Sequence, residues 1–283
     1  MADNYSYKYF QVHFPADHAY VAHVEINRPD KLNAFFEAMW LELAQLFNQL
    51  SHDPSVRAVL LTGAGEKAFT AGLDVHAASQ GLLSSDSSNE ADSARKAAHM
   101  RRHISSFQDC ITAVERCEKP VISAMHGFAL GLAIDLSTAT DVRICARNTK
   151  FAVKEVDIGI AADIGTLSRL PKVVGNNGWV KEVALTARVF GAEEAQKVGF
   201  VNSVYENKQK TVEAGLALAR LMAEKSPIAV QGTKEILNWS RDHSVQDGLR
   251  YTTVWNSAAL QTKDVSDALL SGIQKRKPTF EKL

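Results

Sequence analysis

Residues 126–135 read His126-Gly127-Phe128-Ala129-Leu130-Gly131-Leu132-Ala133-Ile134-Asp135, directly after the apolar run Pro120-Val121-Ile122-Ser123-Ala124-Met125. A short strand thus ends in a small-residue turn that leads toward a helix, and an acid follows between Ile134 and Leu136. The same grammar occurs earlier. Val56-Arg57-Ala58-Val59-Leu60-Leu61-Thr62 ends at Gly63-Ala64-Gly65, and Ala68-Phe69-Thr70-Ala71-Gly72-Leu73-Asp74-Val75 follows. A helix N-terminus presents backbone N–H groups that lack intrahelical partners. Two such groups converging on one point form an oxyanion hole, which stabilises negative charge on a carbonyl oxygen. Taken singly, each turn equally fits a tight turn chosen for packing. Neither matches the dinucleotide fingerprint or the phosphate-binding P-loop.

Outward from these turns, the chain alternates strands and helices. Tyr20–Asn27 has Val24 and Ile26 on one face and His23 and Glu25 on the other, the period-two pattern of a half-buried strand. Arg28-Pro29-Asp30 breaks it. Phe36, Met39, Trp40, Leu43, Leu46, Phe47 and Leu50 then recur three or four apart, which predicts an amphipathic helix over 33–50 with Asn33 as its cap. The polar cluster 84–90 predicts an exposed, mobile loop within 76–95, with helix resuming near Ser93. Short strands are expected at 142–146 and 150–153, and none after about residue 205. The patterns at 191–198, 207–225, 228–242, 244–260 and 264–276 are helical. The reading is an α/β core over 1–205 and a helical region over 206–283.

Composition bounds the function. The chain has 283 residues, 46% hydrophobic and 23% charged, which fits one large domain or one domain with an appendage and excludes general disorder. Lys plus Arg equals Asp plus Glu at 32 each, so no global basic bias points to nucleic acid. Mean hydropathy is −0.15, and no run reaches the roughly 18 apolar residues of a membrane helix. The three cysteines, Cys110, Cys117 and Cys145, fit no zinc or disulfide pattern and read as free thiols. The nine histidines include no HExxH, so neither metal nor redox cofactor is expected. The N-terminus lacks the build of a signal peptide. The chain ends Glu281-Lys282-Leu283, one residue from the Ser-Lys-Leu peroxisomal address.

Acids punctuate a second apolar stretch, Lys154-Glu155-Val156-Asp157-Ile158-Gly159-Ile160-Ala161-Ala162-Asp163-Ile164-Gly165-Thr166. A carboxylate in apolar surroundings caps a helix, pairs with a cation, or transfers protons with a raised pKa. Asp163 before Ile164-Gly165-Thr166 fits a helix cap as well as a proton-transfer group. Glu155 and Asp157, two apart, fit one strand face, so periodicity leaves open which of them serves a site.

Ala71-Gly72-Leu73-Asp74, the Gly131 turn ending in Asp135, and Glu155 with Gly159 resemble the enoyl-CoA hydratase/isomerase (crotonase) superfamily. So do Asn27-Arg28-Pro29-Asp30-Lys31-Leu32-Asn33-Ala34 and Ala192–Val201, and the resemblance runs from about residue 8 to about residue 276. It implies a spiral of ββα units, C-terminal helices that build a homotrimer or homohexamer, and an acyl-CoA substrate. It also implies an oxyanion hole from the N–H groups of Leu73 and Leu132, with Ala71, Gly72, Leu73, Asp74, Val75 and Leu132 along the substrate. Many relatives carry three glycines where this chain has Gly131-Leu132-Ala133, but a backbone donor survives that change. Within the family, the trio Asp135, Glu155 and Asp163 resembles the Δ3,5-Δ2,4-dienoyl-CoA isomerases of fatty acid β-oxidation. A simple hydratase would carry glutamates at 135 and 155, with Pro-Gly near 162–163. The resemblance implies Glu155 as base at C2, Asp163 as acid at C6 and Asp135 in a tuning role. Hydration of an enoyl-CoA and non-catalytic acyl-CoA binding are the alternative readings. Lys31, Lys275, Arg276 and Lys277 are candidates for the CoA phosphates, and the acyl-CoA chemistry with the terminal tripeptide predicts a peroxisomal location over the cytosol or mitochondria.

Overall fold

A computed structural model describes residues 5–77 and 92–283. The loop expected within 76–95 therefore lies, over 78–91, outside the described residues. Among the described residues ten strands form two sheets. The larger has six: β1 (Phe10–His13), β2 (Val21–Ile26), β3 (Ala58–Gly63), β5 (Val121–Met125), β7 (Val142–Ala146) and β10 (Ser203–Tyr205), in that spatial order. The smaller has β4 (Ala68–Thr70), β6 (Phe128–Leu130), β8 (Lys150–Ala152) and β9 (Phe190–Gly191). Of these described strands, only β1–β2 and β8–β9 pair antiparallel.

The connectivity makes a spiral. β3 lies in the large sheet and β4 in the small one, and α2 (Ser93–Arg116) follows; β5 and β6 repeat the step and lead into α3 (Leu132–Thr138); β7 and β8 repeat it again. Each turn advances one strand in both sheets, with parallel registers β3–β5–β7 and β4–β6–β8. The turns that leave β4, β6 and β8 therefore stack side by side at one end of the small sheet. That stacking positions the site.

Parallel strands buried on both faces are expected to be apolar throughout rather than alternating, and all six residues of β3 are buried. One face of the large sheet, with Ala58, Leu60, Ile122 and Ile144, packs on α7 (Lys208–Ala223). Gly215 permits that approach, since a Cβ there would stand 2.6 Å from Leu60 Cδ1. The other face, with Val59, Leu61 and Val121, joins the main core, where α1 (Glu37–His52) buries Met39, Leu43, Leu46, Phe47 and Leu50. Each such side chain contributes roughly 1.5–3 kcal/mol by burial. Three helices follow α7: α8 (Pro227–Ser240), α9 (Val245–Ala259) and α10 (Lys263–Ile273). Among the described residues no helix is long and apolar enough to cross a membrane, and all three cysteines are free and buried.

Three local expectations are corrected. Asn33 does not cap α1, which begins at Glu37 without a side-chain cap. It lies at φ +56° instead, fully buried, and its Nδ2 donates to the carbonyls of Ala64 and Ala68, both at 2.9 Å. Residues Glu155–Ile158 form a 3-10 helix rather than a strand, so Glu155 and Asp157 do not share a face. Two helices between 166 and 186, α4 (Thr166–Val174) and α5 (Asn177–Thr186), carry no pattern that the sequence reading recognised, while α6 (Ala192–Lys197) falls where the 191–198 pattern predicts a helix. Pro171 interrupts the first of them.

Candidate active site

The turn after β4 is held from below by residues 32–35. Ala71 N–H donates to the Leu32 carbonyl at 2.9 Å, Phe35 N–H to the Gly72 carbonyl at 2.8 Å, and Asp74 N–H to the Phe35 carbonyl at 2.7 Å. This pairing engages the residues on either side of Leu73. The Leu73 N–H points the other way, with no backbone partner among the described residues. The turn after β6 is tied to β8 by Gly131 N–H to the Ala152 carbonyl at 2.9 Å. Leu132 is the first residue of α3, where the N–H has no intrahelical partner.

The two turns touch. Gly72 sits at φ +96°, and a Cβ there would stand 2.7 Å from the Leu130 carbonyl oxygen and 3.5 Å from the Leu132 nitrogen. Only glycine allows both the backbone angle and the approach. Asp74 ends the first turn with its carboxylate on Arg28 Nη1 at 2.7 Å, and that hydrogen bond holds its pKa below the ordinary carboxylate range. Its other oxygen accepts the Ala77 N–H at 3.1 Å. Asp74 thus anchors the turn. Val75 is exposed just beyond it.

The acids converge from three elements. Asp135, on α3, is fully buried. Its Oδ1 accepts the Thr166 N–H at 2.6 Å, and its Oδ2 has no partner. Burial, reinforced by the charge of Glu155, pushes its pKa up to about 7. Glu155 leaves β8 in the 3-10 turn and points back at the second glycine turn. A Cβ on Gly131, which sits at φ +53°, would stand 3.2 Å from Glu155 Oε1. Its Oε2 is buried without a partner, and burial raises its pKa, with the nearby Asp163 charge acting in the same direction. Asp157 turns outward to Lys154 Nζ at 2.7 Å. Asp163 is exposed at the mouth of a depression of about 310 Å³ that Gln108, Arg169 and Lys172 also line.

Asp163 is not the cap of α4, since no side chain bonds the first turn from the position before it. Asp135, distant in sequence, receives the Thr166 N–H instead. Gln108, Glu115 and Arg169, which hold this segment, escaped the sequence reading. The one available signal was the polar stripe Gln108, Thr112 and Glu115 in the part of α2 that also buries Phe107, Cys110, Ile111, Ala113 and Val114. Of the phosphate candidates, Lys277 is paired with Glu224 at 2.6 Å, Arg276 Nε donates to Gln274 at 2.7 Å, and Lys31 and Lys275 are exposed. Among the described residues no three His, Cys, Asp or Glu side chains are grouped to hold a metal.

Two adjoining turns whose N–H groups at Leu73 and Leu132 lack backbone partners, beside buried carboxylates with unpartnered oxygens, supply the kinds of group that acid–base chemistry on a carbonyl requires. Residues 16–282 match the Enoyl-CoA hydratase/isomerase family, and the chain belongs to it. It is 43% identical to the mitochondrial Delta(3,5)-Delta(2,4)-dienoyl-CoA isomerase of Homo sapiens, over all of this chain and 85% of that one. It is 41% identical to the peroxisomal isomerase of the same name from Arabidopsis thaliana, over 98% of this chain and 99% of that one. A crystal structure of an enoyl-CoA hydratase from Bacillus anthracis superposes with a TM-score of 0.85 at 29% identity, over 97% of this chain and 99% of the other.

Proposed function

We propose that this chain isomerises 3,5-dienoyl-CoA to 2,4-dienoyl-CoA in fatty acid β-oxidation. The observation that carries the reading is the gathering of Asp135, Glu155 and Asp163 beside the two glycine turns, in a chain 41–43% identical over its length to named dienoyl-CoA isomerases. The thioester oxygen accepts the N–H groups of Leu73 and Leu132. Glu155 removes a proton from C2, and the electron pair spreads over the enolate and both double bonds. Asp163 delivers a proton to C6, which leaves double bonds at C2–C3 and C4–C5. One proton leaves and one arrives, so the step is redox-neutral. Asp135, its pKa raised by burial, holds the chain at Thr166 and adjusts the charge felt by Glu155. A positioned proton transfer contributes about 10²–10⁴-fold.

Two assays test this. Purified protein should convert 3,5-dienoyl-CoA with the rise in absorbance of the conjugated 2,4-dienoyl thioester, and should not hydrate crotonyl-CoA at a comparable rate. Hydration without isomerisation makes it a hydratase, and neither reaction makes it a binding member of the family.

Two further readings attach to the molecule. It assembles as a homotrimer or homohexamer, supported by apolar side chains exposed on α8–α10. It resides in peroxisomes, the location that the name of the Arabidopsis relative gives for that protein. Arg57 Nη2 donates to the carbonyls of Phe280 and Glu281 at 2.7 and 2.8 Å, while Lys282 and Leu283 stay exposed. The Arabidopsis relative is named peroxisomal and the human one mitochondrial. An N-terminally tagged protein that stays out of peroxisomes overturns the location.

A further inference from the structure

Three polar residues on α2, spaced four and three apart, make one stripe: Gln108, Thr112 and Glu115. All three hold the segment that carries Asp163. Gln108 Nε2 donates to the Asp163 carbonyl at 2.5 Å. Arg169, one turn into α4, donates through Nη2 to Thr112 Oγ1 at 2.9 Å and to Glu115 Oε2 at 2.8 Å, and through Nε to Glu115 Oε2 at 3.2 Å. Arg241, just past α8, binds the other Glu115 oxygen at 2.5 Å. Arg169 and Glu115 are largely buried, with side chains 12% and 15% exposed.

The guanidinium of Arg169 also folds back over the start of its own helix. Gly165 sits at φ +150°, and a Cβ there would collide with Arg169 Nη1 and come within 3.8 Å of Asp135 Oδ1. Gly165 follows Asp163 by two residues and precedes Thr166, whose N–H is held by Asp135. The backbone from 163 to 169 is therefore gripped on one side by Asp135 and on the other by Arg169 through Glu115.

We infer that Arg169, with Glu115 and Gln108, is a positioning unit that sets where Asp163 stands relative to Glu155. The inference rests on the isomerase reading, in which the proton transfers fall at two separate carbons and so set the spacing between the two acids. Asp163 is exposed and is held through its backbone carbonyl by Gln108, so its place depends on its backbone. A displacement of about 1 Å from productive geometry costs on the order of a hundredfold in rate. Glu155 stands on a different element, tied through β8, and does not depend on the Arg169 grip. The unit therefore acts on delivery at C6 and leaves removal at C2 intact.

The test separates those half-reactions in Arg169→Lys, which keeps the charge and loses the forked geometry, and in Gln108→Ala, a surface change that leaves the fold alone. Both are compared with Asp163→Asn. Isomerisation is followed by absorbance, and exchange at C2 by deuterium uptake into 3,5-dienoyl-CoA. The expected result for Arg169→Lys is a fall in isomerisation kcat of about tenfold or more. KM and C2 exchange should stay within about threefold of wild type, the same pattern as Asp163→Asn in milder form. Gln108→Ala should show that split more weakly, with unchanged melting temperature. The inference is overturned if isomerisation and exchange fall together in step with stability, which marks a purely structural ion pair. It is equally overturned if isomerisation is unaffected in both variants. Wild-type protein that exchanges or isomerises nothing overturns the isomerase reading itself.

Discussion

At the scale of single residues, Asp135 carries the most informative chemistry. It is a fully buried carboxyl with one backbone donor on Oδ1 and nothing on Oδ2. Its pKa of about 7 in the fold stands above the 3.8 of a free aspartate, so between those values the folded chain keeps a proton that the unfolded chain releases. Stability from this group is therefore full below the unfolded pKa and is lost as pH rises through about 7. Asp135→Asn stays neutral and can still accept the Thr166 N–H. The expected outcome is that the melting temperature of wild type relative to Asp135→Asn falls steadily as pH is raised through the window from about 4 to 7. Thermal melts across that range check it, and a difference that is flat or grows with pH would mean that Asp135 ionises freely in the fold. Glu155 contributes in the same direction, since its pKa is also raised by burial, but it is present in both proteins.

At the scale of elements, the short helix α3 does two jobs. Its first N–H has no intrahelical partner, and its fourth residue is Asp135. Because the donor at Leu132 is backbone, the identity of the side chain matters for packing and the N–H for rate. Leu132→Pro removes the donor at a position where proline is tolerated in helices. It is expected to lower kcat by about 10²–10³-fold, the usual cost of one oxyanion donor. Leu132→Ala keeps the donor and truncates a buried side chain, so it should cost about 2–5 kcal/mol of stability with kcat nearly unchanged. Steady-state rates beside denaturant melts on both variants separate the effects. A proline variant as fast as wild type would remove Leu132 from the oxyanion contact. The element scale also shows where local grammar fails. Asn33 has the right chemistry for a cap, but its side chain is consumed by the carbonyls of Ala64 and Ala68 across the fold. A local cap and a long-range knot use the same amide, and no sequence pattern tells them apart.

At the scale of the whole molecule, the surface of the C-terminal helices stands out. Leu237, Val245, Leu249, Val254, Leu269 and Ile273 are each more than half exposed. Exposed apolar side chains on three successive helices are what the proposed assembly requires. Light scattering should give a particle of three or six chains, and Leu249→Asp with Val254→Asp should reduce it to smaller species. A wild-type particle of one 31.0 kDa chain would refute the assembly.

The amino-acid sequence alone determined the α/β class, the helical last third and the two glycine turns, because periodicity and glycine punctuation are local and survive without knowledge of contacts; the family was legible through the resemblance of its motifs. It also marked Asp135, Glu155 and Asp163 as unusual, since acids in apolar runs are rare. It left Glu155 and Asp157 interchangeable until the 3-10 turn sent one toward Gly131 and the other to Lys154. Only the tertiary structure decided that Asp135, and not Asp163, bonds the start of α4, and that Arg169 reaches Glu115 across the segment between. Those contacts join residues 31 and 54 positions apart. Their partners are set by how the turns of the spiral stack, and burial, which raises the acids' pKa values, exists only once that stacking has excluded water.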